Sequence, residues 1–158
     1  MLRPALLGRH PGRQTMSTRM LFVCTGNSAR SQMAEGLARQ LAAPGVEIAS
    51  AGTHPAGVNP LAVAVMRDRG IDISGQRSKR IEEVPGEFDY VITLCDAAAQ
   101  NCPAMTARRG MLHWPLLDPA DATGDESERR AFFAQIRDDL ERRLRRWLAE
   151  LHLLGKAQ

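Results

Sequence analysis

Residues 20–36 read MLFVCTGNSARSQMAEG. Met20 to Val23 form an unbroken apolar run, as expected of a strand covered on both faces. From Ser31 to Ala42, Met33, Leu37 and Leu41 recur four apart and mark one face of a helix. Between these two signals the chain offers Cys24, five small residues and Arg30. Strand, tight loop, helix is the unit from which parallel sheets are built, and the rest of the sequence repeats its alternation. Further strands are predicted at Val46–Ser50, Tyr90–Cys95 and Gly110–Trp114. Asn59-Pro60 reads as an N-cap followed by proline at the first helical position. That helix carries Leu61, Val65 and Met66 and stops at Gly70. Glu126 to Leu153 places Phe132, Phe133, Ile136, Leu140, Leu144, Trp147, Leu148 and Leu151 on one stripe, with Arg, Asp and Glu opposite. The predicted fold class is α/β: three layers, a four-stranded parallel sheet flanked by helices, with right-handed crossovers. Ligands of such sheets sit at the carboxyl ends of the strands. Cys24 and Cys95 both end predicted strands and are expected to share that rim.

At 158 residues, 44% hydrophobic and 25% charged, the chain suits one soluble core. No apolar stretch approaches the roughly 20 residues of a membrane span, so no membrane partner is expected. The net charge of +3 is concentrated at one end. Residues 1–19 hold Arg3, Arg9, Arg13 and Arg19 and no acid; setting these aside leaves 17 basic against 18 acidic residues. The near-neutral body carries no broad nucleic-acid footprint. Residues 1–19 are expected to be a disordered basic extension, with a transit-like peptide or codons upstream of a start at Met16 or Met20 as alternatives. Residues 20–155 are expected to form a single catalytic domain acting as a monomer. The three cysteines, Cys24, Cys95 and Cys102, cannot all pair within the chain. An odd count suggests free thiols in a reducing, cytoplasmic setting. The stretch Pro119–Asp125 reads as loop, and no internal repeat occurs.

The loop has its own chemistry. A turn from strand into helix aims unpaired amides into its concavity, and the helix N-terminus adds partial positive charge. Gly26 is expected to supply positive φ, and Asn27 tolerates that region better than most residues. The small side chains of Thr25, Gly26, Asn27, Ser28 and Ala29 let the loop close around a tetrahedral oxyanion, and the Arg30 fork can hold two of its oxygens. Cys24 sits at the base, where the field that gathers the anion also favours the thiolate. Ser28 or Ser31 could donate a hydrogen bond to that sulfur. The plainer alternative is a buried, inert cysteine. The loop is no nucleotide P-loop, because G-x-x-x-x-G-K-[ST] is absent.

CTGNSARSQMAEG resembles the active loop of the low-molecular-weight protein tyrosine phosphatase fold, and most closely its thioredoxin-coupled arsenate reductase branch. SAGTHPAGVNP, VITLCDAAAQNCP and HWPLLDPA follow in the order of that branch, so the resemblance runs from Met20 through nearly the whole chain. It implies an arsenate or phosphate oxyanion held by Thr25 to Ser31, and a relay. Cys24 attacks arsenate, Cys95 attacks Cys24 and expels arsenite, and Cys102 attacks Cys95 and carries the oxidation outward. Asp118, before Pro119, matches the family's general acid. Thioredoxin or a similar thiol reductant is the implied partner; no cofactor or metal is implied. A disulfide needs Cα atoms within about 7 Å. A helix would hold residues 95 and 102 about 10 Å apart. Asp96–Asn101 is therefore expected to unwind during turnover.

Departures from the family pattern leave other readings open. Ala29 stands where many relatives carry a second loop cysteine. Some relatives bind potassium through an asparagine, a serine, a threonine and an aspartate. Here Asn27 and Ser50 are present, but the later pair falls near Arg77 and Lys79, so Lys79 could take the cation's role. Phosphatases of the fold usually carry proline after Arg-Ser and tyrosines after Asp-Pro. Here Gln32 and Ala120-Asp121 occupy those places, and Tyr90 is the only tyrosine. The alternatives are a phosphatase acting on phosphotyrosine or small phosphoesters through a Cys24 phosphoenzyme, and a non-catalytic oxyanion or redox sensor. Cys95 or Cys102 as core residues, a zinc site with His54 or His113, and Asp118 as an ordinary turn residue are the plainer local readings. The histidines read as structural.

Overall fold

A computed structural model describes residues 17–101 and 106–156. Strand β1 (Arg19–Cys24) runs into helix α1 (Arg30–Leu41), then β2 (Glu47–Gly52), α2 (Pro60–Arg67), β3 (Phe88–Thr93), α3 (Asp96–Asn101), β4 (Ala107–His113) and α4 (Glu126–Glu150). Short 3-10 turns at Ile81–Glu83 and Pro119–Asp121 lie in the connections. All pairings within the four-stranded sheet are parallel, in the order β2-β1-β3-β4. Successive residues of a strand face opposite sides. Met20 to Cys24 are all buried, so both faces of β1 are covered. Each fully buried side chain such as Leu21, Phe22 or Ile92 contributes roughly 1.5–3 kcal/mol.

The order sets the position of any site. From β1 the chain moves one way to β2 and later returns past β1 to β3. The two connections part between β1 and β3, and crevices open at such a point beyond the carboxyl ends. Cys24 closes β1, and Cys95 lies two residues beyond the end of β3. Met20, Leu21, Phe22 and Val23 pair with Tyr90, Val91, Ile92 and Thr93. Leu94 N–H still bonds Val23 O at 2.8 Å before the chain leaves the sheet.

Several boundaries differ from the sequence reading. β3 starts at Phe88, two residues earlier than expected, and ends before Cys95. The buried Asp89 interrupts the apolar pattern, but its carboxylate accepts the Arg19 amide at 2.8 Å. β4 begins at Ala107 and includes Arg108 and Arg109, which an edge strand can leave exposed. β2 extends through Gly52, where a Cβ would lie 2.5 Å from Thr25 O and 2.9 Å from Asn27 N. Only glycine lets the loop backbone rest on that strand.

Asn59 caps α2 by accepting from Leu61 N at 2.8 Å. Asp125 caps α4 by accepting from Glu128 N at 2.8 Å. α4 buries Phe133, Ile136, Leu140, Leu144, Trp147 and Leu148. It stops at Glu150 because His152 takes a left-handed φ of 58°. Leu153 N then bonds Leu148 O and His152 N bonds Ala149 O, closing the helix in a Schellman arrangement.

Candidate active site

The loop from Cys24 to Arg30 is fixed from outside by its carbonyls. Thr25 O accepts from His54 N, Gly26 O from Ala56 N and Ser28 O from Asn59 N, at 2.8, 2.9 and 3.0 Å. A trans peptide points its C=O and N–H in opposite directions. The amides of Gly26, Asn27 and Ala29 therefore face away from that wall. α1 follows with Ala29 at its N-cap, which has no polar side chain to occupy the first-turn amides. Amides of Arg30, Ser31 and Gln32 add to the same positive end. The residue with positive φ is Asn27, at 43°. Gly26 does not adopt that conformation, contrary to expectation; a Cβ on it would make contacts of 3.5 Å and longer.

Asn27 also orders the protons around the thiol. Its Oδ1 accepts from Gln32 Nε2 and from Lys79 N, both at 3.0 Å. Its Nδ2 must then donate, and it meets Ser31 Oγ at 2.8 Å and Ser50 Oγ at 2.9 Å. Ser50 Oγ–H donates to Glu35 Oε1 at 3.2 Å. Ser31, already accepting, has its own proton free for the Cys24 sulfur 2.8 Å away. Of the two serines considered from sequence, Ser31 is the one in contact. Cys24 is 2% exposed, so this donor faces a sulfur screened from water.

Glu35, equally buried, also meets Arg39 at 3.2 Å and Lys79 Nζ at 3.7 Å. Burial pulls the Lys79 ammonium below its usual range, with the Glu35 carboxylate opposing and Arg77 and Arg39 reinforcing the fall. These donors do not fit a potassium ion: the Asn27 carbonyl is saturated, and an ammonium already stands beside Glu35.

Arg30 is buried at the cradle's lip. Its NH1 donates to Leu116 O at 3.1 Å, and its NH2 lies 3.5 Å from Asp118 Oδ2. Asp118 itself accepts from Ala120 N at 2.9 Å, which fixes the carboxylate at the start of a 3-10 turn. On the other side, Cys95 Sγ lies 3.3 Å from Thr25 Oγ1 and accepts from Ala98 N at 3.3 Å. Cys24 and Cys95 are both free thiols and both buried. Cys24, Arg30, Ser31, Asp118 and Cys95 thus converge on one rim. Cys102 lies outside the described residues. Sequence reading missed Gln32, Glu35 and the Thr25–Cys95 contact, which arise only when separate segments meet.

A thiol at the floor of an amide cradle, with an arginine at its lip, on a parallel sheet of this order, is an arrangement chemically suited to holding an oxyanion against sulfur. The chain belongs to the low molecular weight phosphotyrosine protein phosphatase family, which matches residues 19–156. It is 46% identical over 125 residues to an arsenate reductase of Bacillus subtilis (strain 168), covering 78% of this chain and 90% of that protein. The solved structure of an arsenate reductase in the phosphate binding state superposes with a TM-score of 0.73 at 34% identity, over 84% of this chain and 98% of the other. A thioredoxin-dependent arsenate reductase of Corynebacterium glutamicum matches with a TM-score of 0.68 at 26% identity, over 88% of this chain and 64% of that one.

Proposed function

We propose that this chain reduces arsenate to arsenite with its own thiols, in arsenic detoxification. The oxyanion sits among the amides of residues 25–31 and the Arg30 guanidinium. The Cys24 thiolate attacks arsenic, and one oxygen leaves as water with a proton from Asp118. The Cys95 thiolate then attacks Cys24 Sγ. The S–S bond forms, the S–As bond breaks, and its electron pair stays on arsenic. Arsenic(V) becomes arsenic(III) and departs as arsenite, while the two sulfurs together lose two electrons. Cys102 attacks Cys95, Cys24 leaves as thiolate, and the oxidation is held as Cys95–Cys102. Thioredoxin or a similar dithiol reductant removes it.

The carrying observation is the second buried thiol beside Thr25, next in sequence to Cys24. Hydrolysis of a phosphoenzyme needs one cysteine and water, whereas reduction needs the second thiol that stands there. The relatives named as arsenate reductases support the reaction, and the thioredoxin-dependent one supports the class of reductant. No helix among the described residues is long and apolar enough to cross a membrane. The proposed working unit is one chain in the reducing cytoplasm, its domain beginning at Arg19, the first residue of β1, rather than at Met20 as expected from the sequence.

Cys95→Ser tests the reading. Arsenite production should disappear, while slow hydrolysis of p-nitrophenyl phosphate through Cys24 persists. Wild-type arsenite production by the variant would overturn the relay. Phosphoester turnover far exceeding arsenate turnover in the wild type would favour the phosphatase alternative.

A further inference from the structure

Read from sequence, His113 is structural; its contacts give it more to do. It ends β4, with Nδ1 2.8 Å from Thr93 Oγ1 and Nε2 2.9 Å from Asp96 Oδ1. Thr93 ends β3 and Asp96 begins α3, immediately after Cys95. One imidazole therefore ties the ends of two strands to the first residue of the helix behind the second thiol. Proton counting gives two consistent arrangements. A Thr93 hydroxyl donating to Nδ1 leaves the neutral ring to donate from Nε2–H to the carboxylate. If the hydroxyl turns to Leu112 O, 3.3 Å away, the protonated ring donates from both nitrogens. Asp96 is held in either state.

The other flank of Cys95 is held as well. Leu94 N–H bonds Val23 O at 2.8 Å, and Leu94 O accepts from Leu116 N at 3.1 Å. The relay asks two conflicting things of this segment. The Cys95 sulfur must stay beside Thr25 to reach Cys24, yet the helix after it must open for a thiol seven residues on. We infer that the Thr93–His113–Asp96 clasp pins the turn into α3, so that the helix uncoils beyond Asp96 without withdrawing Cys95 from the cradle. His113 touches none of the reacting atoms and is a positioning residue. The inference rests on the proposed role of Cys95.

The test uses the full chain in a Cys102→Ser background and needs no arsenate. Diamide activates the Cys24 thiolate, and formation of the Cys24–Cys95 disulfide is followed by mass spectrometry. His113→Ala and Asp96→Ala should each slow it about tenfold, while Cys24 alkylation by iodoacetamide stays within about twofold. His113→Gln and Asp96→Asn, which keep a donor and an acceptor at the contact, should recover most of the rate. Asp96→Ala removes an exposed carboxylate and covers the case of a poorly folded His113→Ala. An unchanged disulfide rate overturns the clasp, as does a fall shared by alkylation or one that His113→Gln fails to recover. Arsenate turnover of the wild type, measured alongside, judges the reductase reading separately: its absence sinks that reading, while the disulfide rate alone decides whether the clasp holds Cys95.

Discussion

Ser31 Oγ accepts from Asn27 Nδ2, and the Cys24 sulfur 2.8 Å away is the partner its own proton faces. Hydrogen bonds to charged groups contribute about 1.5–3 kcal/mol. Ser31→Ala should therefore slow Cys24 alkylation by about tenfold or more, since a lost hydrogen bond of that size to the attacking sulfur is worth at least that factor. Alkylation at the wild-type rate would show that the Ser31 hydroxyl does not support the attacking sulfur. Lys79 offers a second test at this scale. Burial lowers its proton affinity in the folded chain below the ordinary value of 10.5. Below 10.5, but above the folded value, the unfolded chain binds the extra proton, so stability must rise with pH across that window. Lys79→Met removes this contribution. The urea midpoint of the wild type should climb relative to the variant as the pH is raised toward the ordinary lysine value of 10.5. A constant difference would mean that the ammonium keeps its solution affinity in the fold.

The least secure element is α3. It has six residues, and isolated helices shorter than about 12–15 are marginal in water. Its first turn hangs on Cys95, whose carbonyl accepts from Ala99 N and whose sulfur accepts from Ala98 N. Oxidising Cys95 to a disulfide takes the sulfur from Ala98, and bridging to Cys102 forces the helix to shorten. Hydrogen exchange at Ala97–Gln100 should accelerate about tenfold or more in the oxidised protein, and unchanged protection would refute the uncoiling. The periodic elements were the legible ones. Met33, Leu37 and Leu41 announce α1, the eight-residue stripe announces α4, and Asn59-Pro60 announces α2. Strand ends at Asp89, Arg108 and Arg109 were not legible, because their polar side chains are satisfied by partners far away in sequence or by solvent. The same division holds in the site. Cys24 to Arg30 is contiguous and reads directly. Lys79 was singled out only through the family resemblance, and Glu35, Asp96 and His113 take their places only when α1, α3 and β4 fold together.

At the scale of the molecule, the sheet order brings the cradle of β1 and the thiol following β3 to one switch point, and binding there couples to the stability of the whole chain. Anything that binds the folded state alone stabilises it: about 2.7 kcal/mol at a ligand concentration 100 times its dissociation constant. For a domain of this size each kcal/mol moves the melting temperature roughly 2–4 °C. Saturating inorganic phosphate should therefore raise the melting temperature by about 5–10 °C. Cys24→Ser leaves the amides and the guanidinium in place, so it should keep the shift. Arg30→Lys retains the charge but replaces the two-pronged planar donor with a point charge, and Leu116 O loses its matched partner. That variant should lose more than half of the shift. Calorimetry with phosphate, and with chloride at equal ionic strength as control, separates the specific site from general screening. If Arg30→Lys shifts as much as the wild type, the Arg30 fork does not hold the anion; if the wild type does not shift at all, the cradle does not gather tetrahedral oxyanions and the proposed chemistry of Cys24 has no substrate to act on.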